Sequence, residues 1–290
     1  MLEARLRGAL EALSSSFSGR LSLSLLRFED NFRFSLDGQR PQLAASLIKL
    51  PILAAALNEV QEGRLRLEAR YPLDDEDKAG GNGVLKSLGA GIKLSLGDLL
   101  TLMIIVSDNT ATNMVIDLTG ADEVNRFCEA AGLAKTKLAG KLQLPVSLQN
   151  EAQRAGARNK TCPDDVLTLL AALYRGSLLR GDLNDFALST LKRQLYTEAL
   201  ARYLPVDPHL HQSPVTVASK SGCLPGLWHD AGIVFAQRDS RHDAHRDDYD
   251  YALVVMTEGS SDLAESWEQE GMMLIANVSK AVFELIGWRG

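Results

Sequence analysis

Ser46 and Lys49 are three residues apart at the start of a stretch with the apolar periodicity of a helix. Because residues three apart share a helix face, the Lys49 amine can reach the Ser46 hydroxyl. A serine hydroxyl becomes an effective nucleophile when a base removes its proton. For Lys49 to be that base near pH 7, its pKa must fall by roughly three from ~10.4, or ~4 kcal/mol. Partial burial and a second cation nearby are the usual means.

Two further motifs follow along the chain. Ser107-Asp108-Asn109 comes directly after the apolar segment 99–106, and Lys220-Ser221-Gly222 comes after the strand-like segment 215–218. Taken singly, each motif has an ordinary structural interpretation: a helix start with a solvated lysine, a corner between helices, and a strand end. Gly222 would also let a backbone approach a ligand closely. All three motifs in this order predict a serine acyl-transfer site.

The hydrophobic pattern around these motifs predicts an α+β fold. Helical stripes and two-residue alternation follow one another in blocks, and strands with hairpin-length links favour an antiparallel sheet. The predicted elements are a helix over 2–17, strands over 21–25 and 32–36, a helical block from 44 to about 195, strands over 215–219, 233–237 and 249–256, and a closing helix over 262–286 that includes Trp267.

These elements predict a helical domain over about 44–192. It would pack against an antiparallel sheet built from 1–43 and 193–290 and flanked by the N- and C-terminal helices. Two sites in the helical part have the spacing of a capping box, Ser95-x-x-Asp98 and Thr161-x-x-Asp164. The motif residues would meet in the cleft between the two parts, where pockets commonly form.

The three motifs resemble the S-x-x-K, S-D-N and K-[TS]-G set of the class A β-lactamases and the wider penicillin-binding serine hydrolases. The resemblance extends to the segments 37–57, 81–85, 161–164 and 232–234. It covers nearly the whole chain, from about Gly19 onward. It implies the β-lactamase/transpeptidase-like fold, with the helical domain inserted into the sheet domain.

The resemblance also implies roles for the first two motifs. Ser46 would be the acylated nucleophile and Lys49 its activator. Ser107 would relay a proton to the leaving nitrogen of the substrate. Asn109 would hold Lys49 and the amide of the substrate.

Further roles are implied for the third motif and the residue after it. Lys220 would supply positive potential near Ser107 and the substrate carboxylate, and Ser221 would hydrogen-bond that carboxylate. Gly222 leads to Cys223, whose backbone N–H would form the oxyanion hole together with that of Ser46. The loss of one such donor typically costs ~2.7–4 kcal/mol.

The resemblance breaks where class A β-lactamases carry the glutamate that drives deacylation. The corresponding segment 138–145 contains no carboxylate, and Gln143 is the nearest counterpart. An amide can orient a water but cannot take its proton, and general-base help is worth ~10²–10⁴ in rate. Glu151 is the acidic residue close by. It is interpreted as a surface residue in preference to a displaced base.

A second departure lies before Gly232, where the family often has an arginine for the β-lactam carboxylate. The segment 228–231 contains no arginine, and His229 is interpreted as a packing or surface histidine in preference to a residue of the site's rim. Four more histidines lie in polar loops without the spacing of metal ligands, so neither a metal nor a cofactor is predicted. They are His209, His211, His242 and His245.

Composition argues against several other classes of function. Lys and Arg number 31 against 37 Asp and Glu, and the net charge of −6 predicts neither a nucleic-acid nor a membrane partner. Cys128, Cys162 and Cys223 lack the spacing of a disulfide framework or a zinc site. The start of the chain has no signal-peptide pattern, which predicts a protein that is cytoplasmic, or exported and already trimmed. We expect a monomer that acts on a small molecule.

Three functions remain open at this point. The first is a class A-like serine hydrolase that opens β-lactams, with slow deacylation. The second is a D-Ala-D-Ala-type peptidase, amidase or esterase on the same scaffold, which Gln143 and the missing arginine favour. The third is a penicillin-binding relative that keeps the acyl group without turnover.

Overall fold

The computed structural model describes residues 1–206, 213–236, 249–264 and 266–286. Among these residues the helices are α1 (Leu2–Ser14), α2 (Lys49–Gln61), α3 (Leu96–Ile105), α4 (Asn109–Thr119), α5 (Ala121–Ala130), α6 (Glu151–Arg154), α7 (Pro163–Arg175), α8 (Gly181–Lys192) and α9 (Glu270–Leu285). The strands are β1 (Arg20–Arg27), β2 (Arg33–Leu36), β3 (Gln42–Leu43), β4 (Arg70–Pro72), β5 (Lys93–Ser95), β6 (Lys160–Thr161), β7 (Val215–Leu224), β8 (Leu227–Ala236) and β9 (Tyr251–Glu258). A 3₁₀ turn at Ala45–Ile48 directly precedes α2.

A five-stranded sheet with the strand order β2-β1-β9-β8-β7 organises the described residues. Every neighbouring pair in it is antiparallel, which confirms the predicted α+β fold with an antiparallel sheet. β7 lies at one edge of the sheet and packs against α8 and the 3₁₀ turn Ala45–Ile48. The edge strand therefore brings the Lys220-Ser221-Gly222 motif next to Ser46.

Both faces of the sheet are buried because its strands alternate between two cores. On β9, Ala252 and Val254 belong to the larger core with the helices α2 to α5, α7 and α8, and Leu253 and Val255 belong to the second core with α1 and α9. This alternation is the two-residue period of a strand. The helical block thus lies on one face of the sheet and the terminal helices on the other.

The division into a sheet domain (1–43 and 193–290) and a helical domain (44–192) remains a proposal. The larger core contains residues of the helical block and of the sheet, among them Leu50 on α2 and Ile233 on β8. Its apolar packing therefore continues across the proposed boundary.

One of the two predicted capping boxes is present. Ser95 Oγ accepts a hydrogen bond from Asp98 N at 3.0 Å, and Asp98 Oδ2 accepts one from Ser95 N at 2.9 Å. The box predicted at Thr161 is wrong, because Thr161 belongs to β6 and its hydroxyl lies 2.8 Å from that of Thr136. The helix that follows begins at Pro163, and no side-chain cap hydrogen bond is made at its start.

The closing helix is shorter than predicted. The predicted span was 262–286, but α9 begins at Glu270, and Trp267 lies in the preceding loop with 62% of its surface exposed. The loop is held by Asp262, whose Oδ2 accepts a hydrogen bond from Glu270 N at 3.0 Å. A carboxylate at a helix N-terminus satisfies a free N–H group there and interacts favourably with the helix dipole.

Some sequence predictions fall on residues outside the described part of the chain. These are the histidines His209, His211, His242 and His245 in the predicted polar loops. Within the described part, no helix combines the length and the apolar character that a membrane span requires.

His229 on β8 is fully buried. Its Nδ1 lies 2.7 Å from the Trp228 carbonyl oxygen, and its Nε2 lies 2.8 Å from the Leu43 carbonyl oxygen. Burial lowers the pKa of His229 to about 4, so the imidazole is neutral at pH 7 and donates to one of the two carbonyls. This environment is that of a packing histidine that ties β8 to β3.

Replacing His229 with glutamine is expected to flatten the dependence of stability on pH in the acid range. The pKa of His229 is about 4 in the folded protein and ~6.5 in an unfolded chain. Its stabilising contribution is complete above pH ~6.5 and is lost, by roughly 3 kcal/mol, as the pH falls toward 4. Urea unfolding of both proteins across this range measures the difference.

Asp230 acts in the opposite direction, because burial raises the pKa of its carboxyl group from 3.8 to about 6. Its contribution increases as the pH falls from about 6 toward 3.8. Because Asp230 is present in both proteins, its contribution cancels in the difference between the unfolding free energies of wild type and His229→Gln. Parallel stability curves for the two proteins would contradict the assignment to His229.

Candidate active site

Ser46 lies in the second position of the 3₁₀ turn Ala45–Ile48, immediately before α2. Ala45 has a φ of 43°, which turns the chain sharply into the helix. Pro51 is the third residue of α2, where its missing N–H group removes no hydrogen bond of the helix. These local features place the Ser46 hydroxyl at the wall of a cleft of about 640 Å³.

Lys49 is fully buried, with 0% of its surface exposed. Its Nζ donates hydrogen bonds to Ser107 O at 2.7 Å, to Ser107 Oγ at 2.9 Å and to Asn109 Oδ1 at 2.8 Å. An ammonium group has three N–H donors, and these acceptors match all of them. The lysine therefore links α2 to the corner between α3 and α4.

Ser107 connects the nucleophile to the lysine. Its Oγ lies 2.9 Å from Ser46 Oγ and 2.9 Å from Lys49 Nζ. The sequence predicted that Lys49 would reach the Ser46 hydroxyl directly, whereas the structure places Ser107 between the two groups. A hydroxyl both donates and accepts, so Ser107 can pass a proton in either direction.

The corner at Ser107-Asp108-Asn109 is built around a buried carboxylate. Asp108 Oδ1 accepts from Ala111 N at 2.9 Å and caps α4, while its Oδ2 accepts from Val84 N at 2.6 Å and Leu85 N at 2.9 Å. Ser107 has a φ of 52°, an uncommon conformation for a residue other than glycine. The capped helix and the bound segment hold Ser107 in this conformation.

Asn109 connects the same corner to the rim of the cleft. Its Nδ2 donates to Gly80 O at 2.9 Å, while its Oδ1 accepts from Lys49. Gly81 has a φ of 75°, and a Cβ at this position would lie 2.7 Å from Asn109 Nδ2. The rim of small residues at 80–83 therefore packs directly on the amide of Asn109.

Lys220 approaches the site from β7 and is also fully buried. Its Nζ donates to Ser221 O at 2.7 Å and lies 3.5 Å from Gln194 Oε1. At Gly222 the strand lies so close to Ser46 that an added Cβ would be 2.6 Å from Ser46 N. Cys223 follows on the same strand and lines the cleft.

The protonation of Lys49 depends on its burial and on the second buried lysine, Lys220. Burial and, secondarily, the charge of Lys220 hold the pKa of Lys49 well below its ordinary value. Burial also lowers the pKa of Lys220 to about 8, against the attraction of Asp230. Burial and a second cation nearby are the two causes that lower the pKa of a lysine enough for it to act as a base. The positive charge of Lys220 thus favours the neutral amine form of Lys49.

Gln143 lines the same cleft, in the loop that follows α5. It has a φ of 51°, and its Cγ would be 3.4 Å from a Cβ at Gly81. The loop is held by the amide of Asn113, which makes two hydrogen bonds with the backbone of Leu142, at 2.8 and 2.9 Å. Glu151 lies on the exposed surface at the start of α6, outside the cleft lining.

Sequence reasoning missed the residues of the segment 194–199. Gln194 contacts Lys220, and Tyr196 and Glu198 line the cleft. The segment is irregular, and its sequence contains no motif that would indicate a site. Among the described residues, no group of three or more His, Cys, Asp or Glu side chains is arranged to bind a metal ion.

The chain belongs to the Beta-lactamase enzyme family, whose sequence model matches residues 5–286. A β-lactamase of Proteus vulgaris is 28% identical over 172 residues, or 59% of this chain. The aligned part spans 61% of the length of that curated relative.

Two solved structures share the fold over nearly their whole length. The β-lactamase from Sphaerobacter thermophilus has a TM-score of 0.84 and 28% identity, with 99% of this chain and 98% of that chain covered. The protein PBP-A has a TM-score of 0.79 and 26% identity, with 97% and 95% covered. Both structural similarities agree with the family resemblance that the three sequence motifs indicate.

Replacing Lys220 with arginine is expected to extend the reactivity of Ser46 to higher pH. With a pKa of about 8, Lys220 loses its charge above this pH, and the contribution of that charge to the reaction rate should be lost with it, down to the rate of the uncharged form. An arginine remains charged throughout this range. The measurement is the rate at which a fluorophosphonate labels each protein between pH 6 and 10, corrected for hydrolysis of the reagent. An alkaline decline at the same pH in both proteins would contradict the role of the Lys220 charge.

Proposed function

We propose that this protein is a serine hydrolase of the class A β-lactamase type, which is acylated on Ser46 and hydrolyses the amide bond of β-lactams slowly. One observation carries the proposal: Ser46, Ser107 and Lys49 form a continuous chain of hydrogen bonds that ends on a buried amine. Membership of the Beta-lactamase enzyme family supports it. The substrate class is a small β-lactam or a peptide-like amide.

Acylation would begin with the transfer of the Ser46 proton through Ser107 to the neutral amine of Lys49. Ser46 Oγ then forms a bond to the carbonyl carbon, and the carbonyl oxygen becomes an oxyanion. The backbone N–H groups of Ser46 and Cys223 are proposed to stabilise it, which is consistent with the close approach of β7 at Gly222.

The breakdown of this intermediate would use the same groups in the reverse sense. The bond from carbon to nitrogen breaks, and the leaving nitrogen receives a proton from Ser107, which is replenished from the Lys49 ammonium. Lys220 would favour this transfer by raising the cost of keeping both lysines charged. Asn109 would keep Lys49 aligned and Ser221 would contact the substrate.

Deacylation is proposed to be the slow half of the reaction. A water must attack the ester, and Gln143, whose side chain ends in an amide, lines the same cleft as Ser46. An amide can orient this water, but a base is needed to take its proton. Glu198 is the carboxylate among the described residues that line the cleft, and it belongs to a different wall.

Two alternatives have specific support. A D-Ala-D-Ala-type peptidase, amidase or esterase is favoured by the absence of an arginine from the segment 228–231. A penicillin-binding protein without turnover is favoured by the structural similarity to PBP-A, of which one variant was solved as an acyl-enzyme complex with penicillin G. We further propose that the protein acts as a monomer, since a single chain supplies every group of the proposed site.

Incubation with penicillin G is expected to add one intact antibiotic to Ser46. Because the leaving nitrogen stays attached when the ring opens, the mass of the protein should increase by the full mass of the antibiotic. Intact-protein mass spectrometry and peptide mapping measure the adduct. The control is the variant Ser14→Ala, in which a serine of the remote helix α1 is replaced, and it should gain the same adduct as wild type. The absence of an adduct on wild type, or an equal adduct on Ser46→Ala, would overturn the β-lactam proposal.

Replacing Gln143 with glutamate is expected to raise the rate of release of the penicilloyl group about tenfold or more, since a carboxylate can accept the proton of the attacking water. The decay of the adduct and the steady-state hydrolysis of nitrocefin measure this rate. Gln149→Glu is the matched control, because it adds the same charge to the same cleft at another place in the loop. An equal effect of both changes, or none, would show that a base at position 143 is not what limits turnover.

A further inference from the structure

One end of the cleft is unusually aromatic. It is lined by a set of large side chains and one carboxylate, which we call the tryptophan end: Glu198, Leu224, Trp228, Trp267 and Met272. Trp267 has 62% of its surface exposed. Large exposed apolar side chains grouped beside a site commonly contact a ligand.

Three separate segments build the tryptophan end and hold it in shape. Trp228 is the direct cross-strand partner of Cys223 in the hairpin of β7 and β8. A Cβ on Gly271 would lie 3.6 Å from Trp228 Cβ, so the start of α9 packs on this tryptophan. Arg202 Nη1 donates a hydrogen bond to Trp267 O at 2.6 Å and thereby fixes the loop that carries Trp267.

The charges at this end of the cleft are negative. Glu198 lines the wall and makes no ion pair with any described residue. Asp230, opposite Ser221 in the register of β7 and β8, is buried and does not line the cleft, and its charge interacts with that of Lys220. Of the cations nearby, Lys220 is buried and outside the cleft lining, and Arg202 lies over the ring of Tyr203 and donates to Trp267 O without lining the cleft.

The opposite end of the cleft is basic. Lys141 lines it beside Gln143 and is paired with Asp117, and Arg158 lines it after α6. The cleft is therefore polarised, with Arg158 and the paired Lys141 in one part and Glu198 beside the tryptophan rings in another. A group that carries a carboxylate would be repelled at the tryptophan end.

We propose that the tryptophan end is a substrate subsite for an aromatic or apolar group that ends in a cation or a neutral polar group, and that it disfavours a carboxylate. The inference rests on the proposed function, because it describes the substrate of the same nucleophile. The tryptophan rings supply apolar area and Glu198 supplies the counter-charge. Cation–π contact with the indole faces adds to the preference.

The test measures noncovalent binding to the Ser46→Ala protein, so that it does not depend on acylation. The probes are benzylammonium, benzyl alcohol and benzoate, which share a ring and differ in charge. Ligand-observed NMR gives each dissociation constant. The dissociation constant of benzylammonium is expected to be lower than that of benzoate by about fivefold or more. The reason is the attraction between its charge and that of Glu198 in partly solvated surroundings. Equal binding, or tighter binding of benzoate, would overturn the proposal.

Variants in the same background separate the two features of the subsite. Glu198→Gln should remove most of the preference for benzylammonium, and Glu198→Lys should reverse it. Trp267→Ala should weaken all three probes, whereas Leu88→Ala, a matched loss of an exposed apolar side chain elsewhere, should leave them unchanged. A preference that persists in Glu198→Lys, or binding that is insensitive to Trp267→Ala, would contradict the assignment. The penicillin G adduct on Ser46 reports on the proposed function independently.

Discussion

The burial of the Lys49 amine is the constraint on which the site depends. A lysine with no exposed surface loses the hydration of its ammonium group, a cost that is offset when every N–H finds an acceptor. Here the acceptors are Ser107 O, Ser107 Oγ and Asn109 Oδ1. Because all three come from one helix corner, that corner must be rigid. The positive φ of Ser107 and the capping carboxylate of Asp108 meet this requirement.

The same constraint links the electrostatics of the site to the fold. β7 is an edge strand, and its position against the 3₁₀ turn Ala45–Ile48 brings Lys220 into the field of Lys49. Neither lysine has a carboxylate within salt-bridge distance among the described residues. Burial and the charge of Lys220 therefore favour the neutral amine of Lys49, whereas Lys220 keeps its charge at pH 7 because its pKa is about 8. The groups needed for acylation are thus present together in the site, and a base for deacylation is absent from the segment 138–145.

Much of the fold and the motif residues could be predicted from the sequence, because apolar periodicity and short motifs are local signals. The position of Ser107 between Lys49 and Ser46 could not, because the 3₁₀ turn and the corner at Ser107 set the actual geometry. Thr161 has the spacing of a helix cap, yet pairing between β3 and β6 uses its backbone instead. The lining contributed by Glu198 and Trp267 arises from irregular segments that meet only in the folded chain.

The pKa of Lys49 tests most directly whether burial and the charge of Lys220 keep its amine neutral. Titration of the protein with ¹³Cε-labelled lysine, followed by NMR with Lys49→Arg for assignment, gives its pKa. The account predicts a value well below 10.5, and a higher value in Lys220→Met, where the second charge is removed. An ordinary lysine pKa for Lys49, or one unchanged by Lys220→Met, would contradict the coupling of the two buried amines.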